Sequence, residues 1–115
     1  MTERRRLYKK LDSLMRERIL ERDKVCQKCG KAPQKLDCSH VYSKKTYPFL
    51  RFDEDNLKIL CSYCHMQWHA NPKAAGEWIN EKFPERMARL EAKRIKGGKL
   101  GIVQLRELLE ELKCG

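Results

Sequence analysis

Apolar residues recur at helical spacing towards both ends of the chain and lose that spacing in the middle. Leu7, Leu11, Leu14, Met15 and Ile19 lie about one turn apart within residues 3–24, the stripe of an amphipathic helix. Arg4, Arg5, Arg6, Lys9, Lys10, Arg16, Arg18 and Arg22 fill its other faces. From Val25 to Ala70 the pattern changes. Gly30, Pro33 and Pro48 separate short extended runs such as KLDCSHV, which predict turns and a hairpin. Helical character returns with NLKILCSYCHMQWHA. Asn71-Pro72 reads as an N-cap followed by a proline in the first helical position, opening a helix through Trp78, Ile79 and Phe83. Pro84 ends that helix and starts another through Met87, Leu90 and Ile95. After the break Gly97-Gly98-Lys99-Leu100-Gly101, the stripe Ile102, Leu105, Leu108, Leu109 and Leu112 predicts a terminal helix. That stripe suits core packing, a homodimer seam or a docked partner helix.

A single domain of 115 residues follows, divided into a basic helix (1–24), a central segment (25–70), a helical extension (71–96), a glycine-rich break (97–101) and a terminal helix (102–115). Only 41% of it is apolar and 37% is charged, against about 45–50% and about 25% in ordinary globular domains. A chain so small and polar is expected to need a metal, disulfides or a partner to complete its stability. No window approaches the ~18 apolar residues of a membrane span, and MTERRRLYKKLD lacks the apolar segment of a secretory signal. A soluble, cytoplasmic protein with no membrane association is expected, and in a reducing compartment its thiols are ligands rather than bridges. The net charge of +10 points to a polyanion, foremost nucleic acid, although a ribosomal or membrane-surface protein would carry the same excess.

Cys26-Gln27-Lys28-Cys29 and Cys61-Ser62-Tyr63-Cys64 are two CxxC knuckles. Four thiolates close a tetrahedral structural zinc site. The segment between them exceeds the ~15–20 residues of the commonest four-cysteine spacing, so it must carry something substantial. A redox CxxC would lead one to expect a βαβ pattern, which is lacking. Cys61-Ser62-Tyr63-Cys64-His65 also spells a haem-attachment motif, but that reading leaves Cys26 and Cys29 without a role. Cys38 and Cys114 stand outside the frame as unpaired thiols.

All three histidines of the chain, His40, His65 and His69, lie within or next to this frame. If the stretch after Asn56 is helical, His65 and His69 share a face at i, i+4, the spacing that lets two imidazoles reach one ion. His40, Asn56 and His65, interleaved with CxxC pairs, resemble the His-Asn-His (HNH, or ββα-metal) endonucleases, and within them the small zinc-ribbon members of phages and prophages, some of which nick DNA. The resemblance covers roughly residues 18–72, and NPKAAGEWINEKFPERMARL is more weakly similar to the tails of phage recombination and HNH proteins.

The resemblance implies an α+β fold, a small metal-stabilised domain with a ββα-metal motif interleaved with the four-cysteine ribbon and flanked by helices. It further implies that His40 is the general base, that the Asn56 amide braces the loop behind it, and that His65 and His69 bind a catalytic divalent ion. The separations Asn56 to His65 and His65 to His69 resemble those of colicin-type members. Many members carry Asp or His directly before the base, whereas this chain has Ser39. Asp37, on the same side of an extended strand, is the expected third ligand, directly or through water. Asp53 and Asp55 read as turn residues.

The activity so implied is metal-dependent hydrolysis of double-stranded DNA, by nicking as in some of the small zinc-ribbon members, leaving 5′-phosphate and 3′-hydroxyl ends. Imidazole ligands favour Mn²⁺, Co²⁺, Ni²⁺ or Zn²⁺, and with carboxylate and water Mn²⁺ or Mg²⁺ serves, Mn²⁺ giving the higher activity. Arg4, Arg5, Arg6, Lys9, Lys10, Lys44, Lys45 and Arg51 are the candidate phosphate contacts, joined by the basic residues near Arg86. A non-catalytic zinc-ribbon nucleic-acid-binding module and an assembly factor in phage packaging or recombination are the competing readings.

Overall fold

The computed structural model describes residues 1–114. Five helices and a two-stranded antiparallel sheet make a small α+β fold: α1 (Glu3–Asp23), β1 (Leu36–His40), β2 (Leu57–Cys61), α2 (Ser62–Ala70), α3 (Pro72–Lys82), α4 (Pro84–Lys96) and α5 (Ile102–Cys114). The Thr2 hydroxyl caps α1 by accepting the Arg5 N–H, satisfying one of the donors that a helix start leaves open. Prolines open α3 and α4 in the first turn, where their missing N–H is harmless. Among the described residues no helix is long and apolar enough to cross a membrane.

One expectation fails. The stretch after Asn56 is not helical at once, because Leu57–Cys61 pairs with β1 in the register Leu36↔Cys61 to His40↔Leu57, and α2 begins only at Ser62. The strand lies between α1 on one face and α2 on the other, so all five of its residues are buried. Burial on both faces removes the polar alternation by which a strand is recognised.

The other edge of β2 is closed by the region that follows α1. The Ile59 N–H donates to the Asp23 carboxylate, the Ile59 carbonyl accepts from the Gln27 N–H, and Arg22 donates to the Leu57 carbonyl. An open edge of this kind would otherwise leave backbone groups unpaired.

The core has two parts. Leu7, Leu11, Met15 and Ile19 of α1 pack with β2 and with Leu105 and Leu109 of α5, while Leu50, Ile79, Met87 and Leu90 form a smaller cluster. Trp68 and Trp78 pack against both clusters and meet edge to face with centroids 6.4 Å apart. The leucine stripe of α5 is thus engaged with α1 of its own chain. Leu11 is wholly buried, so Leu11→Ala is expected to lower the urea-unfolding free energy by about 2–5 kcal/mol; a change under about 1 kcal/mol would show that α1 is not part of the cooperative core.

Candidate metal centre and cleft

Sγ atoms of Cys26, Cys29, Cys61 and Cys64 all lie within 4.8 Å of one another, and the Cys29–Cys61 pair is 3.8 Å apart. Four sulfurs placed tetrahedrally about 2.3 Å from a zinc ion are about 3.8 Å from each other. The cluster can therefore hold a structural metal such as zinc. Each knuckle is shaped locally. Gly30, with φ +76°, makes the turn that returns its N–H to the Cys26 carbonyl, a backbone region in which a side chain is strained. Cys61 ends β2 and caps α2, its sulfur accepting the Cys64 N–H at 3.4 Å. Burial disfavours a Cys26 thiolate, but the N–H groups of Cys29, Cys61 and Lys28 outweigh it and bring the thiol down to about 6. Burial and the adjoining thiols push Cys64 upward.

One and two turns into α2, His65 and His69 bring their Nε2 atoms within 3.2 Å. Nitrogens so placed can reach one cation, since ligands about 2.0–2.1 Å from a common ion stand close to this separation. Asp37 lies on β1 beside this pair. Its carboxylate meets the opposite nitrogen, Nδ1 of His65, at 3.0 Å. A carboxylate there accepts a hydrogen bond from the Nδ1–H, which fixes the tautomer and leaves the lone pair on Nε2. Ser39 is buried and accepts from Lys58.

His40 ends β1. Its Nε2 lies 3.1 Å from the Arg51 carbonyl, which can only accept, so the ring carries its proton on Nε2 and presents the Nδ1 lone pair. Burial holds its pKa below the ordinary value, opposed by the Arg51 carbonyl and reinforced by the Lys44 charge. His40, Asp37 and His65 line one cleft of about 490 Å³, together with Asp12 and Arg16 of α1, Lys35, Lys44 and Arg51. A phosphodiester fits a space of that size.

Asn56 is wholly buried and grips the backbone that follows His40. Its amide oxygen accepts the Tyr42 N–H at 2.7 Å, and its amide nitrogen donates to the Tyr42 and Leu50 carbonyls. Lys58, two residues on, was not singled out by motif. It is also wholly buried, donating to the Ser39 hydroxyl at 3.0 Å and the His40 carbonyl at 3.2 Å, with its ammonium 3.5 Å from the Trp68 ring centroid. Burial pushes its pKa down to about 7. The signal in the sequence was a lysine inside the apolar run LKILC. Asp12 and Arg16 carry no such signal, since nothing in α1 itself shows which polar face meets the cleft.

Ion pairing divides the basic residues. Arg89 and Lys93 are held by Asp55, and Lys93 also by Asp53; Arg94 is held by Glu91. Asp53 accepts the Asp55 N–H at a turn, as its residue type predicts. Arg51, offered as a phosphate contact, is bound to Asp12 at 2.6 Å and lies over the Tyr8 ring, so it joins α1 to the hairpin loop. Arg4 donates to the Leu100 carbonyl. Arg5, Arg6, Lys9, Lys10, Lys44 and Lys45 are exposed and form no ion pair among the described residues.

Cys61→Ser is expected to abolish the binding of one zinc per chain and to lower Tm sharply, read by metal analysis and calorimetry; full zinc retention would remove Cys61 from the ligand set. Asp37→Asn is expected to weaken Mn²⁺ binding about 10–100-fold in calorimetric titration while leaving zinc content unchanged; unchanged Mn²⁺ affinity would separate Asp37 from the histidine pair. Compared with family models, curated proteins and solved structures, the chain matches none of them.

Proposed function

We propose that the chain is a metal-dependent endonuclease of the His-Asn-His kind that hydrolyses double-stranded DNA and leaves nicks. The observation that carries this reading is the cleft shared by His40 and His65, with an Nδ1 lone pair on one ring and paired Nε2 atoms of His65 and His69 beside it. A neutral imidazole takes a proton from water efficiently near neutral pH. His40, held neutral by burial, accepts that proton as the water oxygen attacks phosphorus and the P–O3′ bond breaks, the 3′-oxygen leaving to take a proton from solvent, and Asp12 favours the imidazolium so formed. A divalent ion on His65 and His69, such as Mn²⁺ or Mg²⁺, would supply Lewis-acid stabilisation of the phosphate charge. Lys44 and Lys35 on the cleft wall attract the phosphate. The exposed cations of α1 and the hairpin loop add salt-sensitive contacts that carry no base information.

A second reading, a zinc-ribbon module that binds nucleic acid without cutting it, draws support from Ser39, which adds no acidic ligand beside His40. Supercoiled plasmid incubated with EDTA, Mg²⁺ or Mn²⁺ separates the two. Relaxed circles with metal and none with EDTA are expected, together with a loss of at least about 100-fold for His40→Ala without loss of DNA binding. Equal cleavage by that variant removes His40 as the base, and tight binding without cleavage favours the module. Because the His40 pKa is lowered, the neutral base persists below its ordinary value. Cleavage should therefore decline on acidification with a midpoint below the ordinary imidazole value of about 6.5; a midpoint above pH 7 would contradict the assignment.

A further inference from the structure

The buried Lys58 has no role in the reading above. Its ammonium is wholly inaccessible and forms no ion pair with a carboxylate among the described residues; its partners are a hydroxyl, a carbonyl and an aromatic face. An ammonium removed from water without a counter-ion lowers stability, and well-packed apolar residues commonly replace buried charges without loss. Its place in the fold is specific. The Lys58 ammonium holds the His40 carbonyl, the Asn56 carbonyl holds the Val41 N–H, and the Asn56 side chain holds both backbone groups of Tyr42. Three successive residues, 40 to 42, are thereby fixed from β2 and the turn just before it.

We propose that Lys58 is a positioning residue for His40, trading stability for a rigid end of β1 from which the ring reaches the cleft. Its strand neighbour Ser39, opposite it in the register, serves as the second acceptor that keeps the ammonium on the His40 carbonyl. The residue before His40 thus faces the Lys58 ammonium at 3.0 Å. Trp68 covers the ammonium from α2 and links the support of His40 to the helix that carries His65 and His69. The charged and titratable groups around this pair are Asp12 and Arg16 of α1, Asp37 and Cys38 of β1, Lys35 just before it, Lys44 and Arg51 of the hairpin loop, and His65 of α2. Cys38, raised to about 11 by burial, is a neutral thiol and gives Lys58 no counter-charge.

The inference rests on the nuclease reading, and its test has one readout independent of it. Lys58→Met removes the donor and keeps an unbranched side chain of similar length. It is expected to retain or raise Tm, to leave KM and zinc content unchanged, and to lower kcat about 10–100-fold, the effect of misplacing a reacting group. By NMR the His40 ring is expected to titrate at higher pH in Lys58→Met, since a nearby cation is removed, and to lose the single tautomer of the parent chain. Should Lys58→Met not fold, Ser39→Ala removes only one acceptor and is expected to lower kcat in the same direction without a change in KM. Full kcat in the folded variant, with the His40 resonances unmoved, overturns the proposal. If the parent chain cleaves no DNA, the nuclease reading fails, and the His40 titration alone still decides whether Lys58 positions that ring.

Discussion

Cys61 joins three structural elements through one residue. It pairs with Leu36 at the end of the hairpin, belongs to the four-thiol cluster and caps the helix that follows. Strand register, metal cluster and helix start are consequently tied together. A strand displaced by one residue would send every side chain to the other face, so Asp37 would leave His65 and Ser39 would leave Lys58. Bringing Cys26 and Cys29 to the same point fixes the knuckle after α1 against the far end of β2, where Gln27 also binds Ile59. The histidines of α2 and the end of β1 acquire their separation from this common anchor.

A chain with little apolar residue content must settle much of its order through polar contacts. Trp68 and Trp78 pack against both of its apolar clusters, and the middle of the molecule is held by buried Asn56, Lys58 and Ser39. Each is hydrogen-bonded, as buried polar groups must be if they are not to reduce stability. Their bonds converge on the backbone beside His40 rather than being spread over the core. Apolar side chains could fill the same volume, but they could not bind a carbonyl and two amide groups in directions that fix a loop.

The charge of the chain is distributed unevenly. The acidic residues of the turn before β2, Asp53 and Asp55, engage Arg89 and Lys93 of α4, and Glu91 engages Arg94 and accepts from Tyr42. These exposed pairs contribute little to stability individually, yet they use cations that composition alone would assign to nucleic acid. Arg5, Arg6, Lys9 and Lys10 at the start of α1 and Lys44 and Lys45 on the hairpin loop are among the cations left over.

The helices, the cysteine frame and the i, i+4 histidine pair were legible in sequence because each depends on local spacing: helical periodicity, proline at a helix start, two residues between thiols, one turn between imidazoles. The start of α2 was not, since burial on both sides of Leu57–Cys61 erases alternation. Nor was the side of the His65 ring that Asp37 meets, which depends on strand register and on how α2 lies over the sheet. Arg51 could not be separated from the other exposed cations until Asp12 was seen opposite it. By itself the sequence determined the elements and the chemical groups available, because these follow from the nearest few residues. Tertiary structure alone decided which nitrogen faces which partner, which cations are neutralised and why a lysine lies in the core, because those outcomes depend on groups far apart in the chain and on the water excluded between them.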